Sequence, residues 1–243
     1  MVEMQVHRSN SRSHESLRNI TISVDVNKHA EGSAIVEFGD TKVLCTATVE
    51  KGVPRWKRGD NSGWLTAEYA MLPRSTNTRS KRGQNGRATE IQRLIGRSLR
   101  TSIDLAKVGE ETITLDCDVL QADGGTRTAS ITGAWVALSM AVERLQAGSE
   151  FPINPITAQV AAISCGMVDG ELMLDLDYRE DSNADVDFNV VMLSTGKLVE
   201  IQGTAEQTAF SKSELTKMLN LAEKGISTLF EEQRKALTKW KSS

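Results

Sequence analysis

The sequence predicts an α+β fold made of two successive units, each with several β-strands followed by a helix. Apolar and polar residues alternate over residues 20–26, which is the period of a half-buried strand. A helical period begins near Ala88, where apolar residues recur every three or four positions as far as Ile103. The same order returns after a Pro-containing linker at residues 148–155. We therefore expect a duplicated unit with two-layer β-sheets packed with helices.

The individual elements follow from period and turn signals. In the first half we expect strands at residues 20–26, 33–38, 42–49, 64–72 and 112–120, and helices from residue 88 and at 128–145. In the second half we expect strands at residues 159–167, 171–176, 185–193 and 198–202, and a closing helix at 212–239. Asp169-Gly170 is a strong hairpin signal between two of these strands.

The predicted domain division places an N-terminal segment at residues 1–19, a first half at 20–147 and a second half at 156–240. With 243 residues, 39% of them hydrophobic, the chain is long enough to bury a substantial core and to form one compact unit. The longest uncharged run, residues 151–168, contains two prolines and is not expected to span a membrane. The first 16 residues lack an apolar run typical of a secretory signal.

The positions of the cysteines and histidines limit which kinds of catalytic and metal sites we expect. The three cysteines are far apart and lie in strand-like segments, which is typical of reduced core residues in a cytoplasmic protein. The three histidines all fall within the first 29 residues. Catalysis by a histidine base, and zinc sites built from histidine, are therefore hard to place in the rest of the chain.

Charge is distributed unevenly along the chain. Residues 51–100 carry twelve Lys or Arg and three Asp or Glu, whereas residues 166–206 carry ten acidic and two basic residues. A basic block indicates a polyanionic partner, and an acidic block indicates a cation or solubility alone. Together, the basic and acidic blocks suggest a protein that acts on a polyanion with the help of a metal ion.

A Gly-Gly turn at residues 121–127 lies between a predicted strand and a predicted helix. Glycines allow a sharp turn, the first helical turn supplies unpaired N–H groups, and Arg127 adds charged donors. This combination suits a phosphate, although the turn lacks the pattern of a P-loop or of a dinucleotide fingerprint. A purely structural turn remains the alternative from these residues alone.

An acidic run spans residues 180–189. If a strand begins at Ala184, its alternation places Asp185, Asp187 and Asn189 on one face. Carboxylates this close repel one another unless a cation neutralises them, and their oxygens suit Mg²⁺ or Mn²⁺. The alternatives are an acidic surface turn or a calcium loop; the latter fails because Val186 and Met192 occupy positions that need Gly and Glu.

A basic loop lies between the fourth predicted strand and the first helix. Its cations are Arg74, Arg79, Lys81, Arg82 and, at the mouth of the helix, Arg87. Clustered arginines on a flexible loop neutralise an RNA backbone without reading its sequence. A solvated loop with no ligand is the alternative.

Taken together, these residues resemble the bacterial ribonuclease PH family over nearly the whole chain. The strings that carry the resemblance are KHAEGS (28–33), EFGDTKV (37–43), EIQRLIGR (90–97), QADGGTR (121–127), EDSNADVD (180–187) and QGTAE (202–206). The resemblance implies a duplicated β-rich fold with helices, assembled as a homohexamer, a trimer of dimers. It also implies a phosphate-dependent 3′→5′ exoribonuclease that trims the 3′ ends of tRNA precursors and of other structured RNAs such as rRNA.

In that family inorganic phosphate replaces water, so that nucleoside diphosphates are released in a reversible reaction. The resemblance implies phosphate binding by Arg87, Gly125, Thr126 and Arg127, and RNA binding by Arg74, Arg79 and Arg82. It implies catalytic aspartates, associated with Mg²⁺ or Mn²⁺, at Asp181 and Asp187, with Asp185 between them.

Two departures from the family pattern are visible. The segment between Arg82 and Arg87 is shorter than the family leads us to expect, and Ser11 stands where Gly is usual before Arg12. Two other functions stay open: a catalytically silent RNA-binding ring subunit of the same fold, and a hydrolytic metal-dependent nuclease or phosphatase.

Overall fold

The computed structural model describes residue 8 and residues 11–83, 86–148, 151 and 153–242. Most of residues 1–19 in the predicted N-terminal segment lie within this range, but residues 1–7, 9 and 10 do not. Gln84 and Asn85 of the basic loop also lie outside the described residues.

Within the described residues, two β-sheets and four α-helices make up the fold, which confirms the predicted α+β class. The first sheet has the strand order β1-β2-β3-β5-β4 and the second the order β7-β6-β8-β9. The strands of the first sheet are β1 (Ile20–Val24), β2 (Gly32–Phe38), β3 (Thr41–Lys51), β4 (Trp64–Met71) and β5 (Glu111–Gln121). Those of the second are β6 (Val160–Val168), β7 (Glu171–Leu174), β8 (Val186–Leu193) and β9 (Leu198–Ala205). The helices are α1 (Gly86–Arg100), α2 (Thr126–Ala147), α3 (Tyr178–Ser182) and α4 (Lys212–Lys241).

Sequence period explains most of these elements. Buried and half-buried residues alternate along β3 and β5, which pair antiparallel at the centre of the first sheet. The strand β4 pairs parallel with β5 at the sheet edge. The helix α4 begins at a capping box between Ser211 and Glu214, which satisfies amide groups at its first turn.

The helix α2 is the centre of the core. It is buried on nearly all sides from Thr126 to Val142, and it contacts β2, β3 and β5 of the first sheet as well as β6 of the second. The fully buried Gln233 of α4 donates to Thr132 O and Val160 O, both at 3.0 Å, and so joins α4, α2 and β6. A helix held from both sheets keeps its N-terminus in a fixed place.

Close backbone approach fixes α2 against β2. A methyl group on Gly32 would lie 1.9 Å from Ala137 O, which is far inside van der Waals contact. Only a residue without a side chain fits there. The predicted boundary between the two halves, at residues 148–155, stays a prediction. No helix in the described part of the chain is long and apolar enough to span a membrane.

We expect Gly32→Ala to destabilise the fold by about 1–3 kcal/mol, because the added methyl would force β2 and α2 apart. Urea unfolding monitored by tryptophan fluorescence measures this change in the free energy of unfolding. Gly86→Ala is the matched control, since a methyl there meets no atom within 4 Å. Equal urea midpoints for wild type and Gly32→Ala would contradict the packing argument.

Candidate active site

The Gly-Gly turn caps the N-terminus of α2. Gly124 and Gly125 have φ angles of 74° and 66°, in the left-handed region that favours glycine, and Gly125 is the residue before the helix. Thr41 donates its hydroxyl to Gly124 O at 2.6 Å and accepts from Asp123 N at 2.9 Å. Thr41 therefore holds the turn through one carbonyl and one amide, and residues 124–127, at the N-terminal end of the helix, line the neighbouring cleft.

The buried pair of Arg18 and Asp175 holds this turn in place. The guanidinium donates to Asp175 through Nε at 3.0 Å and through Nη2 at 2.7 Å, and the backbone N of Arg18 donates to the same carboxylate at 2.7 Å. The other side of Arg18 donates to Asp123 O. Burial acts to lower the pKa of Arg18, but the charge and hydrogen bond of Asp175, together with the charges of other nearby carboxylates, outweigh burial and raise that pKa.

The short helix α3 is fixed by a second set of contacts. Asp177 accepts from Arg179 N and Glu180 N, both at 3.0 Å, and the Glu180 side chain closes the capping box. Glu180 also pairs with Arg8 through two bonds of 2.8 Å and with Arg12 at 3.2 Å. These bonds attach α3 to the N-terminal segment.

A cleft of about 330 Å³ lies where these elements meet. Arg87 enters it from the first turn of α1, Arg127 from the first turn of α2, Asp181 from α3 and Asp187 from β8. The residues lining the cleft are Met71, Thr76, Arg87, Ala122, Gly124, Gly125, Thr126, Arg127, Ser164, Tyr178, Asp181, Ser182, Asp187 and Asn189. The structure thus brings the predicted phosphate-binding residues together with two of the three predicted aspartates.

Polar contacts orient the side chains of the cleft. Arg127 Nη1 donates to Gln202 Oε1 at 2.7 Å and lies 3.6 Å from Glu90. Asn189 donates to Asp187 Oδ1 at 3.0 Å. Each of the two charged side chains therefore has a neighbour that fixes its direction.

The two carboxylates of the cleft are held in an unfavourable environment. Burial raises the pKa of Asp181, and the charge of Asp187 raises it further despite Arg87 and Arg127 nearby. Burial also raises the pKa of Asp187, against the opposite effect of Arg127. Carboxylates perturbed by burial in a cleft are typical of functional sites.

Asp185 does not join them. Asp185 is not among the described residues that line the cleft. Its carboxylate accepts from Gly170 N at 3.4 Å, in the turn between β6 and β7. The reason is that β8 begins at Val186, so the predicted strand alternation does not extend to residue 185. In the ranges that the structure describes, no group of three His, Cys, Asp or Glu residues is arranged to hold a metal ion.

The predicted RNA-binding arginines lie outside the cleft. Arg74, Arg79 and Arg82 are exposed on the loop between β4 and α1, and Arg74 donates to Asn77 O at 2.9 Å. Arg82 lines a second groove of about 640 Å³, which adjoins the cleft at Met71, Thr76 and Arg87. The basic loop is therefore continuous with the cleft.

Sequence reasoning missed the helix α3 and the buried Arg18–Asp175 pair. The Asp177-x-x-Glu180 pattern is a capping-box signal that could have located α3. Asp175 is 157 residues away from Arg18, and no local pattern reveals such a contact.

Two family models match the chain. They describe the 3′ exoribonuclease family, domain 1 over residues 16–142 and domain 2 over residues 158–225. The chain belongs to this RNase PH-type family.

Solved structures share the fold of this family member. A rice (Oryza sativa) Rrp46 chain matches with a TM-score of 0.80 and 19% identity, over 95% of this chain and 100% of that one. A chain of the Archaeoglobus fulgidus exosome with RNA bound to the active site matches with a TM-score of 0.79 and 20% identity, over 93% and 92%. An archaeal exosome core chain matches with a TM-score of 0.73 and 19% identity, over 92% and 89%.

We predict that Asp181→Asn stabilises the protein at pH 7.5. Because the folded-state pKa of Asp181 is raised, ionising this group opposes folding once the pH exceeds the ordinary pKa of Asp, about 3.9. The advantage of the variant should therefore shrink as the pH falls towards 4. Urea midpoints in EDTA, without phosphate, measure it at both pH values.

Asp185→Asn is the control, since that side chain lies outside the cleft-lining set of described residues. A variant Asp181→Asn that is less stable than wild type at pH 7.5, or a difference that does not depend on pH, would contradict the prediction.

Proposed function

We propose that this protein is a phosphate-dependent 3′→5′ exoribonuclease of the bacterial ribonuclease PH type. It trims the 3′ ends of tRNA precursors, and of other structured RNAs such as rRNA, in the cytoplasm. The observation that carries the proposal is a single cleft that contains two arginines, a helix N-terminus and two half-buried carboxylates. Membership of the 3′ exoribonuclease family supports it.

The chemistry requires two anions to meet. An oxygen of inorganic phosphate attacks the phosphorus of the last phosphodiester, the bond from phosphorus to the 3′ oxygen breaks, and that oxygen takes up a proton. The product is a nucleoside diphosphate. Arg87, Arg127 and the amides at the N-terminus of α2 are placed to offset the repulsion between the anions. Holding both reactants in one cleft lowers the barrier further.

The carboxylates suit a divalent cation. Two half-buried aspartates, each with a pKa raised by burial, provide oxygen ligands, and Mg²⁺ is commonly held by one or two carboxylates together with substrate phosphates. We propose that Asp181 and Asp187 hold Mg²⁺ or Mn²⁺, without Asp185, which is not among the described residues that line the cleft. A bound cation would supply charge neutralisation beside the leaving oxygen.

The exposed arginines of the basic loop support RNA binding. Arg82 lines the groove that adjoins the cleft, and Arg74 and Arg79 are exposed on the same loop, where all three can contact the phosphates of the acceptor region of tRNA. Several fold neighbours are exosome chains, which are named as parts of an assembly. We propose that this chain assembles as a homohexamer, a trimer of dimers.

A catalytically silent ring subunit that binds RNA is the second candidate. Full-length coverage of the rice Rrp46 chain and the similarity to the archaeal exosome core favour it. At 19–20% identity these comparisons concern the fold. In this chain, however, a single cleft is lined by two arginines and two aspartates, and this grouping favours a catalytic function instead. The four residues are Arg87, Arg127, Asp181 and Asp187.

One experiment separates the candidates. The protein is incubated with a 3′-extended tRNA and Mg²⁺, with and without inorganic phosphate, and the released nucleotides are analysed. Diphosphates that appear only with phosphate support phosphorolysis. Monophosphates indicate a hydrolytic nuclease, and bound RNA with no product indicates the silent subunit.

We expect Arg127→Ala to lower phosphorolysis by about 10²-fold or more, because it removes a charged donor from the developing anion. The KM for phosphate should rise, while tRNA binding and the urea midpoint stay close to wild type. Initial rates over a range of phosphate concentrations measure this effect. Arg179→Ala is the matched control, since Arg179 is exposed on the adjacent helix α3. Normal phosphate saturation in Arg127→Ala would refute the assignment.

We expect Asp187→Asn to lose most turnover at ordinary Mg²⁺ concentrations, with partial recovery as Mg²⁺ is raised. The amide still accepts the bond from Asn189 but no longer offers a charged ligand. Turnover as a function of Mg²⁺, with Asp185→Asn as the control, measures the effect. Unchanged turnover in Asp187→Asn would show that this carboxylate has no metal role.

A further inference from the structure

Tyr178 presents an aromatic ring at the mouth of the cleft. It is 59% exposed, although it lines the same cleft as Arg87, Arg127, Asp181 and Asp187. The other tyrosine, Tyr69, is only 3% exposed and its hydroxyl is hydrogen-bonded to Thr126 at 2.9 Å. An exposed aromatic ring beside a cleft that contains two arginines and two carboxylates is a surface to which an apolar, flat group can bind.

The two faces of α3 differ in what they contact. Residues three and four positions apart share a helix face, and Tyr178, Asp181 and Ser182 all line the cleft. Glu180, on the opposite side, is buried against Arg8 and Arg12. The same helix face therefore presents the ring and a proposed catalytic carboxylate.

The backbone under the ring is fixed while the ring itself is accessible. The backbone N of Tyr178 donates to Asp123 Oδ1 at 3.3 Å. A methyl group on Gly124 would lie 3.0 Å from that nitrogen. The residue before it, Asp177, caps the helix. The Gly-Gly turn and the start of α3 are thus packed against each other, so the backbone from which the ring projects is held close to the N-terminus of α2.

We propose that the ring of Tyr178 is the stacking surface for the base of the 3′-terminal nucleotide of the RNA. The inference rests on the proposed function, because it places the phosphodiester among the arginines and the attached base at the cleft mouth. Every base has an aromatic face, so stacking holds the last nucleotide without selecting its identity. An enzyme that removes successive nucleotides needs a contact of this kind.

The test compares Tyr178→Ala and Tyr178→Phe with wild type in equilibrium binding to single-stranded RNA. No phosphate is present, so that turnover is not required. One RNA ends in 2-aminopurine, whose fluorescence is quenched on stacking, and a matched RNA ends in an abasic nucleotide. Trp56→Ala is the control, since Trp56 is 66% exposed but lies outside the cleft-lining set of described residues.

We expect Tyr178→Ala to weaken binding of the base-bearing RNA by about 5- to 150-fold and to abolish quenching. Tyr178→Phe should behave as wild type, and all variants should bind the abasic RNA equally. An equal loss with both RNAs, or no loss with either, would overturn the proposal. This test measures binding and not turnover, so its outcome is separate from that of the proposed function. If the wild type stacks the base but forms no product, that result contradicts the proposed phosphorolysis and leaves the stacking proposal standing.

Discussion

The buried ion pair of Arg18 and Asp175 is the interaction on which the cleft depends. Arg18 reaches the carbonyl of Asp123 in the Gly-Gly turn, while Asp175 lies immediately before the connection to α3. Breaking a buried pair by removing one partner commonly costs about 3–5 kcal/mol, because the other charge is left without compensation. This pair therefore couples the phosphate end of the cleft to its aspartate end, which come from different sheets.

Favourable packing elsewhere in the fold offsets the free-energy cost of the residues that form the cleft. The raised pKa values of Asp181 and Asp187 mean that their ionised forms oppose folding at neutral pH. Asp175 has a φ of 55°, a left-handed conformation that is strained for a residue with a side chain. The nearly complete burial of α2 between the sheets provides the compensating packing.

The sequence predicted the elements better than it predicted their contacts. Alternation and helical period located every strand and the three long helices, since both patterns are local properties of residues that face a core. The expected grouping of Asp185 with Asp187 stays a prediction: the strand begins at Val186, after a backbone bond from Asp185 N to Met167 O, and Asp185 is not among the described residues that line the cleft. Ser11, where the family resemblance leads us to expect Gly, has a φ of 54°, so this departure is accommodated at some conformational cost. The grouping of Arg87, Arg127, Asp181 and Asp187 depends on tertiary packing, and only the resemblance suggested it in advance.

The orientation of the charged side chains in the cleft supports the proposal of a site that binds two anions and a cation. Arg127 is restrained by Gln202 and Glu90, and Asp187 by Asn189, so both side chains stay aimed at the cleft without pairing fully with each other. A subunit that served only as a scaffold would gain stability by replacing these half-buried carboxylates with neutral residues. Their presence beside two arginines and a helix N-terminus supports the proposed phosphoryl transfer, because that reaction needs opposite charges that are available to ligands arriving together.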